Sequence, residues 1–308
     1  MWKYNDFIKS ARLIYVRIQS SLKRHVATIS SILNDIMSKT LQMLDGYQHP
    51  IIGLGTYLLK DPDAISTAIK SGYRCLDTAC YYHNHREFGL GVKKSGVPRS
   101  ELFLTSKVDP WTGAVHNARQ SILRALNEAQ LEYWDLVLIH SPSGGKNTRL
   151  NAYEELSSLV DEGKIRSLGV SNYGAGHIEE LLASKPKYGP VVNQVEVHTM
   201  HSNDKVVRYC QEKGIIVEGY CPLGRKQFFN NRALIEIAKK YNCSVPQLML
   251  SWLIGRGIVP LPKSSDDARQ RENLESTNVT LREADMTEIN KLDEQMDVDG
   301  QYIIQDGV

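Results

Sequence analysis

No apolar run in this 308-residue chain is long enough to span a bilayer, which excludes a membrane-spanning helix. Cysteine is scarce and irregularly placed: Cys75, Cys80, Cys210, Cys221 and Cys243 make an odd number with no CxxC pair. That pattern excludes a disulfide framework and a zinc cluster, and no signal-peptide core accompanies it. A reducing, cytoplasmic setting is expected. An excess of one charge is missing as well. With 37 basic and 35 acidic residues the net charge is +2, so bulk electrostatics make no case for nucleic acid. No GxGxxG follows the first predicted strand, which argues against a Rossmann sheet. What remains is an ordinary globular composition, 42% hydrophobic and 23% charged, with ample material for a core.

The charge that exists is unevenly spread. Residues 1–34 hold six basic residues against one acid, +5, so the rest of the chain carries −3. Phe7, Ala11, Ile14, Ile18, Leu22, Val26, Ile29, Leu33 and Ile36 recur at steps of three or four, an apolar stripe on a helix with the basic residues beside it. Residues 1–40 are therefore expected to be a basic amphipathic extension, separate from residues 41–308. Three readings stay open for it: a mitochondrial targeting segment, a membrane-surface helix, or a helix docked on the body.

From residue 41 the chain alternates short apolar runs with helix-forming stretches. LQML, DGYQ and PIIGL predict a small hairpin turning at Asp45-Gly46. PIIGLGT, YRCLD, LFLTSKV, LVLIH, KIRSLGVS, VVNQVEV, GIIVEGY and GIVPLPKS then follow as eight strands, each leading into helical sequence. The runs are apolar on both sides, as in a parallel sheet covered by helices. Eight βα units in this length predict a closed (β/α)8 TIM barrel; an open doubly wound sheet is the rival.

In such a barrel the reactive groups gather at the C-terminal ends of the strands. Asp77 closes YRCLD, Lys107 nearly closes LFLTSKV, and His140 ends LVLIH, about one βα repeat apart. Tyr82 follows Asp77 by five residues. Four polar groups would then meet at one mouth. A phenol is a poor proton donor at neutral pH, but a nearby ammonium lowers its pKa. The set can thus protonate a carbonyl oxygen: Tyr82 as general acid, Lys107 as its activator, Asp77 as anchor of Lys107, and His140 as orienting group. Read alone, Tyr82 is barrel packing and His140 a core histidine. No set of side chains has metal-ligand spacing, so no metal is expected.

DTACYY, TSK, IHSP, GVSNY, NQVE, GYCPLG and LPKSSDDARQREN occur in this order and together resemble the aldo-keto reductases over residues 41–295. The resemblance implies that Asp77, Tyr82, Lys107 and His140 form a catalytic tetrad. It implies that Ser171, Asn172 and Gln194 bond the nicotinamide carboxamide and that Tyr220 stacks on its ring. Leu223 and Gly224 would line the pyrophosphate, with Cys221 where serine is more usual. Lys263, Ser264 and Arg269 would clamp an adenosine 2′-phosphate, and Glu272 and Asn273 would contact adenine. Two cations beside a hydroxyl favour that phosphate, hence NADPH over NADH. Gly55, Thr56 and Tyr57 would touch cofactor and substrate, with Trp111 and Tyr81 completing the pocket.

The expected activity is NADPH-dependent reduction of small aldehydes or ketones by a monomer. The short tail DVDGQYIIQDGV suggests an open site suited to methylglyoxal or aromatic aldehydes. The alternative is a nucleotide-sensing or interaction module on the same barrel. A barrel lyase or isomerase is a second rival. Cys80 is expected to be an inert thiol, and His83 and His85 surface loop residues.

Overall fold

The computed structural model describes residues 39–296 and residue 298. The amphipathic helix expected for residues 1–40 falls outside them apart from Lys39 and Thr40, as does most of the C-terminal tail. The described residues from Leu41 onward form one compact unit.

The chain enters through a two-stranded sheet, β1 (Thr40–Gln42) and β2 (Gln48–Pro50). The turn between them falls at Asp45-Gly46, where Gly46 N donates to Met43 O at 3.0 Å. The second arm thus ends at Pro50, the first residue of the PIIGL run expected to form it, and the end of that run begins the barrel instead. Eight parallel strands follow: β3 (Gly53–Gly55), β4 (Cys75–Asp77), β5 (Phe103–Val108), β6 (Trp134–Ile139), β7 (Ile165–Ser171), β8 (Val192–Glu196), β9 (Ile216–Tyr220) and β10 (Ile258–Pro260). Each pairs with its sequence neighbour, as right-handed βα connections dictate. Gly55 N donates to Pro262 O at 3.0 Å across the seam between first and last strands, so the sheet curls into the expected barrel.

The double-sided apolar runs acquire a physical reason here. On β6, Leu136 and Leu138 point into the barrel with Cys75, Ile216 and Val259. Val137 and Ile139 point outward into the larger cluster beneath the helices. Burying each such side chain is worth about 1.5–3 kcal/mol, which holds sheet to helices without directional bonds.

The helices start and stop on local signals. In Pro62–Ser71, Asp61 caps by accepting from Asp63 N at 2.9 Å, Pro62 fixes the first φ, and Lys70 sits in the last turn. Val245–Gly255 opens on a capping box made by Ser244 and Gln247. In the helix His85–Ser95, a Cβ on Gly89 would lie 1.9 Å from Ala129 O, so only glycine lets this helix approach the next one.

Candidate active site

Three strand ends converge on one mouth of the barrel. Asp77 is the last residue of β4 and Lys107 the next-to-last of β5, both buried; His140 directly follows β6. Lys107 Nζ donates to Asp77 Oδ1 at 2.5 Å and to the Tyr82 hydroxyl at 3.1 Å. The Tyr82 and His140 rings stand edge to face at 5.8 Å. The four residues singled out from the sequence are thus brought together.

Tyr82 arrives there by a tight local route. After β4 the chain makes a single 3-10 turn, Cys80–Tyr82, and leaves it through His83 with φ 50°. Asn84, buried, pins this loop: its side-chain amide donates to Thr56 O and Leu59 O and accepts from Thr78 Oγ1. Thr56 Oγ1 donates to Asp77 O at 2.8 Å, tying the β3 loop to the same place. Nothing in the sequence patterning marked Asn84; only its convergent bonds do.

The electrostatics correct one expectation. Burial, then Asp77, Cys221, Tyr57 and Glu218, hold the Tyr82 phenol well above its ordinary pKa of 10.0. Loss of hydration outweighs the ammonium expected to lower it, so the phenol rests protonated. His140 is driven well below 6.5 by burial and then by Lys107, so its imidazole is neutral. Burial also pushes the Asp77 carboxyl up, against the pull of Lys107.

Aromatic rings form the rim. Tyr57 meets Tyr82 at 5.1 Å and Tyr81 at 6.4 Å; Trp111 meets Tyr81 at 5.6 Å and His140 at 5.2 Å. Tyr57 and Trp111 are each 42% exposed, so the rim opens to solvent.

Ser171, Asn172, Gln194 and Tyr220 line the adjoining strand ends. Ser171 Oγ donates to Gln194 O at 2.8 Å. Asn172, with φ 60°, donates to His140 O at 3.0 Å and accepts from the Tyr220 hydroxyl at 3.0 Å. Gln194 Nε2 donates to Asp77 Oδ2 at 2.9 Å and to Glu218 Oε2 at 2.7 Å, leaving Oε1 without a partner among the described residues. A nicotinamide carboxamide fits that donor and acceptor set: Oε1 can accept from an NH2.

Beyond Tyr220 the loop is tightly wound. Cys221, Gly224, Arg225 and Lys226 all have positive φ, and Gly224 N donates to Cys221 O at 2.8 Å. A Cβ on Gly224 would lie 2.4 Å from the Phe228 ring, so the place beside half-buried Leu223 requires glycine. Lys263 and Arg269 are exposed, and Ser264 is buried, its hydroxyl accepting from Asp266 N at 3.1 Å. A Cβ on Gly55 would come 3.8 Å from that of Lys263, which puts this segment beside the β3 loop. Glu272 is half-buried and Asn273 buried on the helix Asp267–Glu275.

Two histidines and one acid were misjudged or missed. His85, expected on a surface loop, is 4% exposed, opens a helix, and bonds Ser106 Oγ at 2.9 Å. Burial brings its pKa to about 4. Glu218 and His49 are fully buried and bonded to each other at 2.8 Å. The signals were present: an acid interrupting GIIVEGY and a histidine at the head of a buried run. Cys80 fits the inert reading, since burial pushes its thiol up to about 12.

This parallel eight-stranded barrel and its site are those of an oxidoreductase. The family model for the aldo/keto reductase family matches residues 52–294, and the chain belongs to that family. It is similar to glyoxal reductase of Bacillus subtilis, 37% identical over 260 residues covering 83% of this chain and 93% of that one. It is also similar to glycerol 2-dehydrogenase (NADP(+)) of Saccharomyces cerevisiae, 34% identical over 287 residues, covering 83% and 91%. Among solved structures it resembles MGS-M4, an aldo-keto reductase enzyme from a Medee basin deep-sea metagenome library. The TM-score is 0.80 at 35% identity, covering 83% of this chain and 96% of that one. No helix among the described residues is long and apolar enough to cross a membrane.

Proposed function

We propose that the protein reduces small aldehydes and ketones to alcohols with NADPH, using Tyr82 as general acid. The observation that carries this reading is the placement of Lys107 Nζ between Asp77, at 2.5 Å, and the Tyr82 hydroxyl, at 3.1 Å. Bound NADPH supplies the hydride that the carbonyl carbon takes up. The chain supplies the rest. Tyr82, protonated at rest, gives its hydroxyl proton to the carbonyl oxygen as negative charge develops there. Lys107 stabilises the phenolate left behind, and Asp77 keeps Lys107 in place. Neutral His140 can donate a ring N–H to the same oxygen and orient it. A positioned general acid contributes about 10²–10⁴-fold.

Ser171, Asn172 and Gln194 are read as the carboxamide contacts and Tyr220 as the stacking ring. Gly55, Thr56, Leu223 and Gly224 serve as backbone lining, with Glu272 and Asn273 at the adenine. The exposed cations Lys263 and Arg269, beside Ser264, support selection of the 2′-phosphate. Tyr57, Tyr81 and Trp111 would hold the substrate. Their open rim, and the similarity to a protein named glyoxal reductase, support small carbonyls such as methylglyoxal. We read the barrel at residues 41–308 as a cytoplasmic monomer and residues 1–40 as its basic extension.

The test is NADPH oxidation with methylglyoxal and 4-nitrobenzaldehyde, alongside NADPH binding by fluorescence. Turnover with both is expected. Tight NADPH binding without turnover would instead point to a nucleotide-sensing module.

A further inference from the structure

Glu218 stands in the middle of the apolar strand β9 and is fully buried, yet the proton transfer does not use it. Its two oxygens meet two different nitrogens. Oε1 faces His49 Nε2 at 2.8 Å, and Oε2 accepts from Gln194 Nε2 at 2.7 Å. The same Gln194 nitrogen donates to Asp77 Oδ2 at 2.9 Å, and Asp77 in turn holds Lys107. A continuous buried line therefore runs from β2 of the hairpin to the Tyr82 phenol.

The protons along this line can be counted. His49 Nδ1 faces the Pro50 carbonyl oxygen at 2.8 Å, an atom that only accepts, so Nδ1 carries a hydrogen. Nε2 faces a carboxylate oxygen, so a second proton lies between His49 and Glu218. The Phe103 ring at 4.3 Å and the Cys75 thiol, whose pKa burial and then Glu218 raise, also lie beside His49, and neither brings a cation. Burial opposes ionisation of Glu218, but the bonds from His49 and Gln194 win, and its pKa is lowered. His49, Cys75 and Glu218 hold their ligand atoms within 4.8 Å, but Glu218 already receives a nitrogen on each oxygen. The arrangement is a pair at each end of the line, His49 with Glu218 and Lys107 with Asp77, and the two carboxylates meet across the neutral amide of Gln194.

We propose that Glu218 and His49 are positioning residues for the nicotinamide end of the site. His49 keeps Glu218 ionised in the barrel floor. Glu218 and Asp77 together clamp both hydrogens of Gln194 Nε2, so Gln194 can offer a cofactor only its oxygen. A flipped amide would turn that oxygen onto two carboxylates and is excluded by repulsion. The site would thus demand an NH2 on the nicotinamide side chain. This rests on the cofactor reading above.

The test uses three ligands and the full chain: NADP+, its 3-acetylpyridine analogue, in which a methyl group replaces the NH2, and adenosine 2′,5′-bisphosphate, which lacks the nicotinamide. Wild-type protein should bind NADP+ about 10-fold more tightly than the analogue, the scale of one hydrogen bond to a strong acceptor. Glu218→Met should erase most of that preference and leave the bisphosphate affinity unchanged. Glu218→Gln, which can still accept from Gln194, should restore it. An unchanged preference in Glu218→Met, or a parallel loss for all three ligands, overturns the proposal. Nitrogen-15 spectra of the wild-type histidines give a second reading that needs no variant to fold. From the two hydrogen bonds of its ring, two protonated nitrogens on His49 are expected, and a singly protonated ring overturns the proposal. Wild-type protein that bound neither NADP+ nor the bisphosphate would overturn the cofactor reading itself; binding without amide preference would overturn only the positioning role.

Discussion

The ammonium of Lys107 and the phenol of Tyr82 lie 3.1 Å apart, although burial keeps that phenol protonated well above its usual range. In the proposed reaction the lysine would therefore act on the phenolate as it forms rather than by pre-ionising the resting tyrosine.

Removing that hydroxyl should remove the proton donor and little else. Tyr82→Phe is expected to lower kcat for aldehyde reduction by about 10²–10⁴-fold. NADPH affinity, measured by fluorescence titration, should stay within about twofold, because the lost group touches no proposed cofactor contact. A variant that lost cofactor binding but kept its rate per bound cofactor would contradict the assigned role.

Lys107→Met leaves the Asp77 carboxylate buried without its cation. Lys107 is fully buried and Asp77 nearly so, and breaking such a pair costs about 3–5 kcal/mol. Denaturant unfolding should show that loss together with abolished reduction. A change below about 1 kcal/mol, the scale of an exposed pair, would mean that solvent reaches the couple.

Arg269→Ala tests the choice between cofactors. Arg269 is exposed, its nearest carboxylate being Asp266 at 3.9 Å, so a ligand phosphate can compete for it. The NADPH dissociation constant should rise about 10-fold, the scale of one charge-assisted contact, while that of NADH should not move. Equal effects on both would remove the 2′-phosphate from its role.

Acid should unfold the protein partly through His85. Its folded pKa falls from 6.5 to about 4 because burial disfavours the charged ring. The unfolded chain then binds the extra proton between those values, so stability is complete above pH 6.5 and drains away as pH falls toward 4. The loss contributed by this one residue is about 3 kcal/mol. His85→Leu should be less stable at pH 8, through the lost bond to Ser106, but should show a shallower decline between pH 6.5 and 4. Parallel pH curves for the two proteins would assign the acid sensitivity elsewhere.

Much of the barrel was readable from local pattern. Runs such as LVLIH and VVNQVEV alternate with amphipathic stretches, and a strand buried on both faces is predominantly apolar on each. The spacing of Asp77, Lys107 and His140 by one βα repeat was enough to place them at one mouth, because parallel strands all end on the same side. The hairpin arm ended earlier than expected, since Pro50 closes β2 and the glycine-flanked run after it joins the barrel. His85 was misplaced because a polar residue beside a loop says nothing of what packs over it, here the Trp134 ring at 5.7 Å.

The sequence by itself determined the architecture and put Asp77, Lys107 and His140 at one mouth, since both follow from short-range periodicity and strand direction; the choice of Tyr82 came with the resemblance to the aldo-keto reductases. The tertiary structure decided which groups share a proton. His49 and Glu218 are 169 residues apart, and Gln194 and Asp77 are 117 apart. No local pattern links such partners, and only closure of the barrel brings them within bonding distance. Closure also set the ionisation of Tyr82 and His140, because the loss of water around a group depends on every chain segment that surrounds it.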